Sequence, residues 1–287
     1  MPENIHLCDE QFIESLADIL AWAEKQGVSC HSRFRTYQKN IDLLNQERTE
    51  EERIQLGQQL QRERRLTEIA SSMSESIELL ETIPPLRKCD INIPSALMRK
   101  AFSGPIDTFQ ENASSNQARN AMFELTMAAM AARNGWKPDL TQHNPDVSFN
   151  FEGRRVMMEC KRVLSTAKFL PRLKEGIKQL GKIVDTAKGD VGIVSISLSK
   201  LANPGYIYYT TEKPHEELSQ DLTELCRANE QLFGSLRTPT VAGFLFYASM
   251  VVQIPDAGFT VVNAGTFFPL KREDQSFLRT LASYSRI

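Results

Sequence analysis

The residues best suited to chemistry in this chain lie in Pro145-Asp146-Val147-Ser148-Phe149 and in Val156-Met157-Met158-Glu159-Cys160-Lys161-Arg162. On a strand alternate side chains share a face, so Glu159 and Lys161 point one way while Met158, Cys160 and Arg162 point the other. Two carboxylates at a strand end, with a backbone carbonyl such as that of Cys160, are the hard oxygen ligands that Mg²⁺ prefers, the ion keeping several waters. Such an ion polarises a phosphoryl oxygen, neutralises charge developing in an in-line displacement and acidifies a bound water. Lys161 would orient or deprotonate that water, or stabilise the oxyanion as an ammonium, and the sequence leaves these roles open. Taken alone, Asp146 is explained as a Pro-Asp turn residue, and Glu159 with Lys161 as an exposed ion pair. The apolar neighbours Val156, Met157, Met158 and Val163 argue instead for burial, which is costly for such a pair without a compensating partner such as a metal ion.

The elements that must position these groups follow from periodicity. Val147 to Phe151 and Arg154 to Val163 read as strands, and Glu152-Gly153 between them reads as a hairpin turn. Antiparallel pairing through this turn returns Glu159 toward Asp146. A symmetric register does not by itself guarantee the meeting, and a bend or bulge near Asp146 would help. Upstream, Ser114-Ser115 offers a cap for a helix that runs to about Asn134 and is closed by Gly135. Within it Gln117, Asn120 and Glu124 follow steps of three and four, a polar stripe that either points into a site or lies in solvent. Downstream come a helix over 168–187, a strand Val191 to Leu198, a helix at about 215–233, strands Val241 to Val252 and Phe259 to Phe267, and a closing helix over 272–285. The pattern predicts an α/β core, a mixed sheet flanked by helices.

Pro145-Asp146, twelve intervening residues and Glu159-Cys160-Lys161 resemble the PD-(D/E)xK nuclease superfamily. The resemblance spans roughly 112–200. It implies a restriction-endonuclease-like fold and hydrolysis of phosphodiester bonds, with DNA and an endonuclease favoured, using Mg²⁺ or Mn²⁺ as its substitute. Asp146, Glu159 and the Cys160 carbonyl would hold the metal, and Lys161 would assist the attacking water. Glu124 stands where family members often carry a further acid on the preceding helix, and would complete or extend the metal site as a third carboxylate. Gln179, in Lys178-Gln179-Leu180, stands where the following helix often presents a Gln or Lys to position water or phosphate. The alternative is a protein that keeps this fold without turnover and binds nucleic acid or scaffolds a partner.

The 287 residues carry a net charge of -2, yet Arg154 to Lys188 holds ten basic and three acidic residues, so any nucleic-acid surface must be local. Lys168, Arg172, Lys174, Lys178 and Lys182 lie on or beside one helix, and Lys174, Lys178 and Lys182 repeat every four residues. Such a stripe attracts phosphate backbones with a steep dependence on salt. Residues 9–82 are poor in Gly and Pro and read as two to four helices. Leu66, Ala70, Met73, Ile77 and Leu80 form a short seam that suits bundle packing or dimerisation. Pro84-Pro85 is expected to end this module, which divides the chain into a helical module for dimerisation or partner binding (1–84), a linker (85–112) and a nuclease-like part (113–287). Five scattered cysteines, no CxxC pair and no HxxxH spacing predict reduced thiols, a cytoplasmic setting and no structural zinc. No apolar run is long enough for a membrane span, and no phosphate loop of the GxxxxGK[ST] kind occurs. His143 is a loop residue beside the Asp, and Tyr206, Tyr208 and Tyr209 read as packing aromatics.

Overall fold

A computed structural model describes residues 10–30, 33–46, 49–107, 111, 116–142, 144–202, 209–210, 213–254 and 258–284. His143, Tyr206, Tyr208 and the Ser114-Ser115 cap lie outside these residues. Four helices open the chain: α1 (Glu10–Lys25), α2 (Arg33–Asn45), α3 (Glu50–Arg62) and α4 (Leu66–Lys88). The seam expected on α4 is used inside the chain. Ala70, Met73 and Ile77 are buried in a helix that packs on α2 and α6 alike, and Leu66 at its start stays 40% exposed. This is the bundle alternative.

Pro84-Pro85 does not end the helix, and α4 continues through both to Lys88. A proline lacks the N–H that would reach the carbonyl four residues back, so Pro85 orphans the Glu81 carbonyl. Arg133 supplies the missing donor, its NH1 lying 2.9 Å from that oxygen, and fully buried Ile83 and Leu86 pin the segment on either side. The expected linker also contains structure: α5 (Ser95–Phe102) buries Met98, Ala101 and Phe102. After it, α6 (Gln117–Arg133) lies against α4 and α5 and ends at Gly135, whose φ of 77° is the left-handed geometry expected of a helix stop.

The second half is the mixed α/β layer. Strands β1 (Val147–Phe151) and β2 (Arg154–Arg162) pair antiparallel around Glu152-Gly153, and both turn residues have positive φ, as a type I′ hairpin requires. Next come α7 (Thr166–Leu180), a 3₁₀ turn at Thr186–Lys188, β3 (Val191–Ser197), α8 (Ser199–Ala202) and β4 (Tyr209–Thr210). The chain closes with α9 (Pro214–Ala228), α10 (Glu230–Gly234), β5 (Val241–Ile254), β6 (Gly258–Pro269) and α11 (Gln275–Tyr284). The sheet order is β1-β2-β3-β5-β4, with β6 antiparallel along the other edge of β5, and β2, β3 and β5 are mutually parallel.

Strand alternation divides the sheet between two apolar cores. Val156, Met158, Ile193, Leu245 and Tyr247 join a cluster that extends through α6, α4 and α2 to Phe12 and Leu16 of α1. Met157, Val194, Ile196, Phe244 and Phe246 join a second one with Phe169 and Leu173 of α7 and Leu218 and Leu222 of α9. The helical half is therefore one wall of the core that carries β1 and β2. Among the described residues no helix is long and apolar enough to cross a membrane.

Candidate metal and phosphodiester site

The hairpin brings the acids together by plain counting. Val147 pairs with Met158, so one further step sets Asp146 opposite Glu159. Asp146 lies in a bend just before β1, following a cis Asn144-Pro145 bond, and its Oδ2 accepts the Cys160 N–H at 2.7 Å. In an antiparallel ladder a residue's N–H and C=O leave by the same edge. The Cys160 carbonyl therefore shares the β1 edge with the Asp146 carboxyl.

Lys161 bridges the two acids. Its Nζ donates to Glu159 Oε2 at 2.8 Å and stands 3.6 Å from Asp146 Oδ2. Glu159 is fully buried and Lys161 is 9% exposed, which places the pair where water screens little. Burial and the Asp146 charge push the Glu159 carboxyl up to about 7, against the opposing pull of Lys161. Burial would depress Lys161, but Asp146 and Glu159 outweigh it and hold its ammonium above the ordinary range. On α6, burial followed by the Asp146 charge raises Glu124 to about 8, with Lys161 and Lys100 opposing. Glu124 thus stands in the field of the other three groups.

The oxygen donors fit a hard divalent cation. Glu159 Oε1 is buried with no hydrogen-bond partner, a costly state for an isolated carboxylate oxygen, and the contacts that Asp146 makes with Cys160 and Lys161 both use Oδ2. Among the described residues no three His, Cys, Asp or Glu side chains close on one point as a ready cage. The fit is instead to an ion held by two carboxylates and a carbonyl with waters completing the shell, the usual habit of Mg²⁺. Cys160 contributes only backbone, because its side chain is buried toward α6 and burial, followed by the Asp146 and Glu124 charges, drives its thiol far above its usual range.

Gln179 is not part of the hydrogen-bonded group. A Cβ on Gly176 would meet Val194, which pairs with Glu159, while Leu180 lies against Gly192, which pairs with Met157. Gln179, adjacent to Leu180, sits at the level of Met157, one strand step from Glu159 and away from Lys161, and its Oε1 is buried without a partner. On α7 the residues Phe169, Leu173, Gly176 and Leu180 face the sheet. Lys174, Lys178 and Lys182 are exposed on the opposite side and make no ion pair among the described residues; Lys168 is exposed, and Arg172 donates to Glu175 at 2.6 Å.

Sequence reasoning missed two groups here. One is Glu111, fully buried in its side chain, which accepts from Arg162 NH1 at 2.6 Å and lies 3.9 Å from Lys200 Nζ. The other is Lys100, which was hidden in a segment read as linker, although Leu97, Met98, Ala101 and Phe102 already carry helical spacing. No protein-family model matches this chain, and no curated protein matches it.

Proposed function

We propose that the protein is a Mg²⁺-dependent nuclease of restriction-endonuclease-like fold that hydrolyses phosphodiester bonds, with DNA as the favoured substrate. The observation that carries this reading is the trio in which Lys161 bridges partly exposed Asp146 and fully buried Glu159 while one Glu159 oxygen lacks any partner. Burying an acid and an amine beside a second acid is unfavourable for stability alone, and the cost is understandable where the groups serve a cation and a polyanion. Asp146, Glu159 and the Cys160 carbonyl would hold the metal, with Glu124 extending the acidic set. When bound, the ion supplies charge neutralisation at the phosphoryl oxygens and a more acidic water. Lys161 positions a nucleophilic water or neutralises developing oxyanion charge from within hydrogen-bond reach of Glu159. The exposed Lys174, Lys178 and Lys182 offer a sequence-independent grip on a phosphate backbone.

The test uses purified protein with Mg²⁺ or Mn²⁺ against plasmid DNA, linear duplex, single strands and RNA. Cleavage by wild type that falls at least a hundredfold in Asp146→Ala and in Lys161→Met supports the reading. No cleavage of any substrate, or cleavage indifferent to both substitutions, sinks it. Metal-independent nucleic-acid binding without turnover would instead favour a scaffold on the same fold.

A further inference from the structure

Lys161 is already held between Glu159 and Asp146, so the cluster of Glu124, Asp146, Glu159 and Lys161 offers no spare cation to an approaching phosphate chain until a metal is present. Some other cation must bring the chain in. Arg162 and Lys200 are both engaged by Glu111, and the lysine stripe of α7 faces outward. Lys100 is a candidate nearer the acids: it is exposed on α5, the helix packed on α6, and makes no ion pair among the described residues.

Packing sets α5, which carries Lys100, against α6, which carries Glu124. Gly104, just past α5, lies so close to the first turn of α6 that a Cβ there would stand 2.7 Å from Ala118 Cβ. From that contact Lys100 is one turn back along α5, while on α6 Gln117 is adjacent and Asn120 and Glu124 step forward. Most of α6 is buried, including Ala118, Ala121, Met122, Phe123 and Leu125. Gln117 is exposed, and Asn120 and Glu124 are half-buried, so this stripe is an opening in an otherwise covered helix. The side-chain amides of Gln117 and Asn120 carry N–H donors along this stripe. The charge of Lys100 also acts on Glu124 more strongly than that of Glu159 does.

We infer that Lys100, together with the polar stripe Gln117–Asn120, forms a phosphate-binding wall that takes a substrate phosphate next to the scissile one. This rests on the nuclease reading above and deepens it by assigning the entry side to α5 and α6. The phosphate belongs either to the chain interior or to a strand end, and the same chemistry would hold both.

The experiment measures binding of a fluorescent single-stranded oligonucleotide by anisotropy in EDTA across a KCl series, with and without a 5′-phosphate. Cleavage in Mg²⁺ is followed in parallel. Wild type, Lys100→Ala, Lys100→Arg and Asn120→Ala are compared. Lys100→Ala is expected to reduce the salt slope by about one, the signature of one lost phosphate contact. It should also raise KM roughly fivefold, in keeping with one exposed charge contact, at unchanged kcat, and Lys100→Arg should restore both. An effect confined to the 5′-phosphorylated oligonucleotide assigns a terminal phosphate, and an effect on both assigns an internal one. Unchanged slope and KM in Lys100→Ala, with wild type binding and cleaving, overturn this inference alone. A wild type that neither binds nor cleaves overturns it together with the nuclease reading.

Discussion

Gly176→Ala tests how closely α7 must ride on the strand beside the site. An added Cβ would stand 2.6 Å from Val194 Cγ1 and 3.1 Å from Cγ2, whereas ordinary contact begins at 3.4 Å. Helix or strand must therefore yield by about 0.8 Å, in a layer where Val194 and Leu173 are fully buried. Overpacking of this kind costs roughly 1–3 kcal/mol. Alanine in a helix interior returns about 1 kcal/mol relative to glycine, so the net expectation is a loss of about 1 kcal/mol and a fall in Tm of about 2 °C. The assay is urea denaturation followed by circular dichroism, on a cycle that includes Val194→Ala. That single change should cost about 2–3 kcal/mol through its cavity, and the double variant should recover about 1 kcal/mol relative to additivity because the new methyl fills part of the space. A stabilised Gly176→Ala, or strict additivity in the cycle, would show that α7 and β3 are not in the contact described.

Mn²⁺ affinity, read by calorimetry, should fall about tenfold per pH unit below pH 7, because Glu159 is raised to about 7 and must lose its one proton to bind; flat affinity from pH 5 to 8 would contradict this. Glu78 on α4 is raised from 4.5 to about 7, chiefly by burial and then by the nearby Glu75 charge. Its folded form holds the proton more tightly than the unfolded one, so its contribution is fully present below pH 4.5 and is lost as pH rises through 7. Glu78→Gln should therefore stabilise the protein by up to about 3 kcal/mol at pH 8 and by little at pH 4, as denaturant midpoints at the two pH values will show. Glu75 receives Arg119 Nε at 2.6 Å and is also paired with Arg33. Replacing it by Gln leaves two buried guanidiniums short of a counter-charge and should cost about 3–5 kcal/mol, whereas a loss below 1 kcal/mol would mean that solvent reaches them.

The hairpin of β1 and β2 was legible because every signal for it is local. Glu152-Gly153 fixes the turn, the period of two fixes the faces, and counting from the turn sets Asp146 against Glu159 without the need for a bulge. The α4 seam was legible as a seam, but its partner was not, since the choice between bundle and dimer depends on distant residues. Pro84-Pro85 misled for a physical reason: the proline penalty is local, while its remedy, Arg133 on the Glu81 carbonyl, lies far along the chain. Glu111 gave no periodic or motif signal, and its role comes only from the ends of β2 and β3 meeting at one place. The offset of Gln179 from the acids is likewise set by the antiparallel run of α7 over β2, which spacing along the sequence does not encode.

The apolar cluster that joins Phe12 of α1 to Leu281 of α11 makes the front of the chain indispensable to the back. Excising the α/β half on its own would strip the cover from Met122, Phe123 and Met130, leaving an adhesive face in place of a free-standing module. Heat or urea should then melt the whole polypeptide in one concerted step, and tampering with the first helices should be felt as far away as β2.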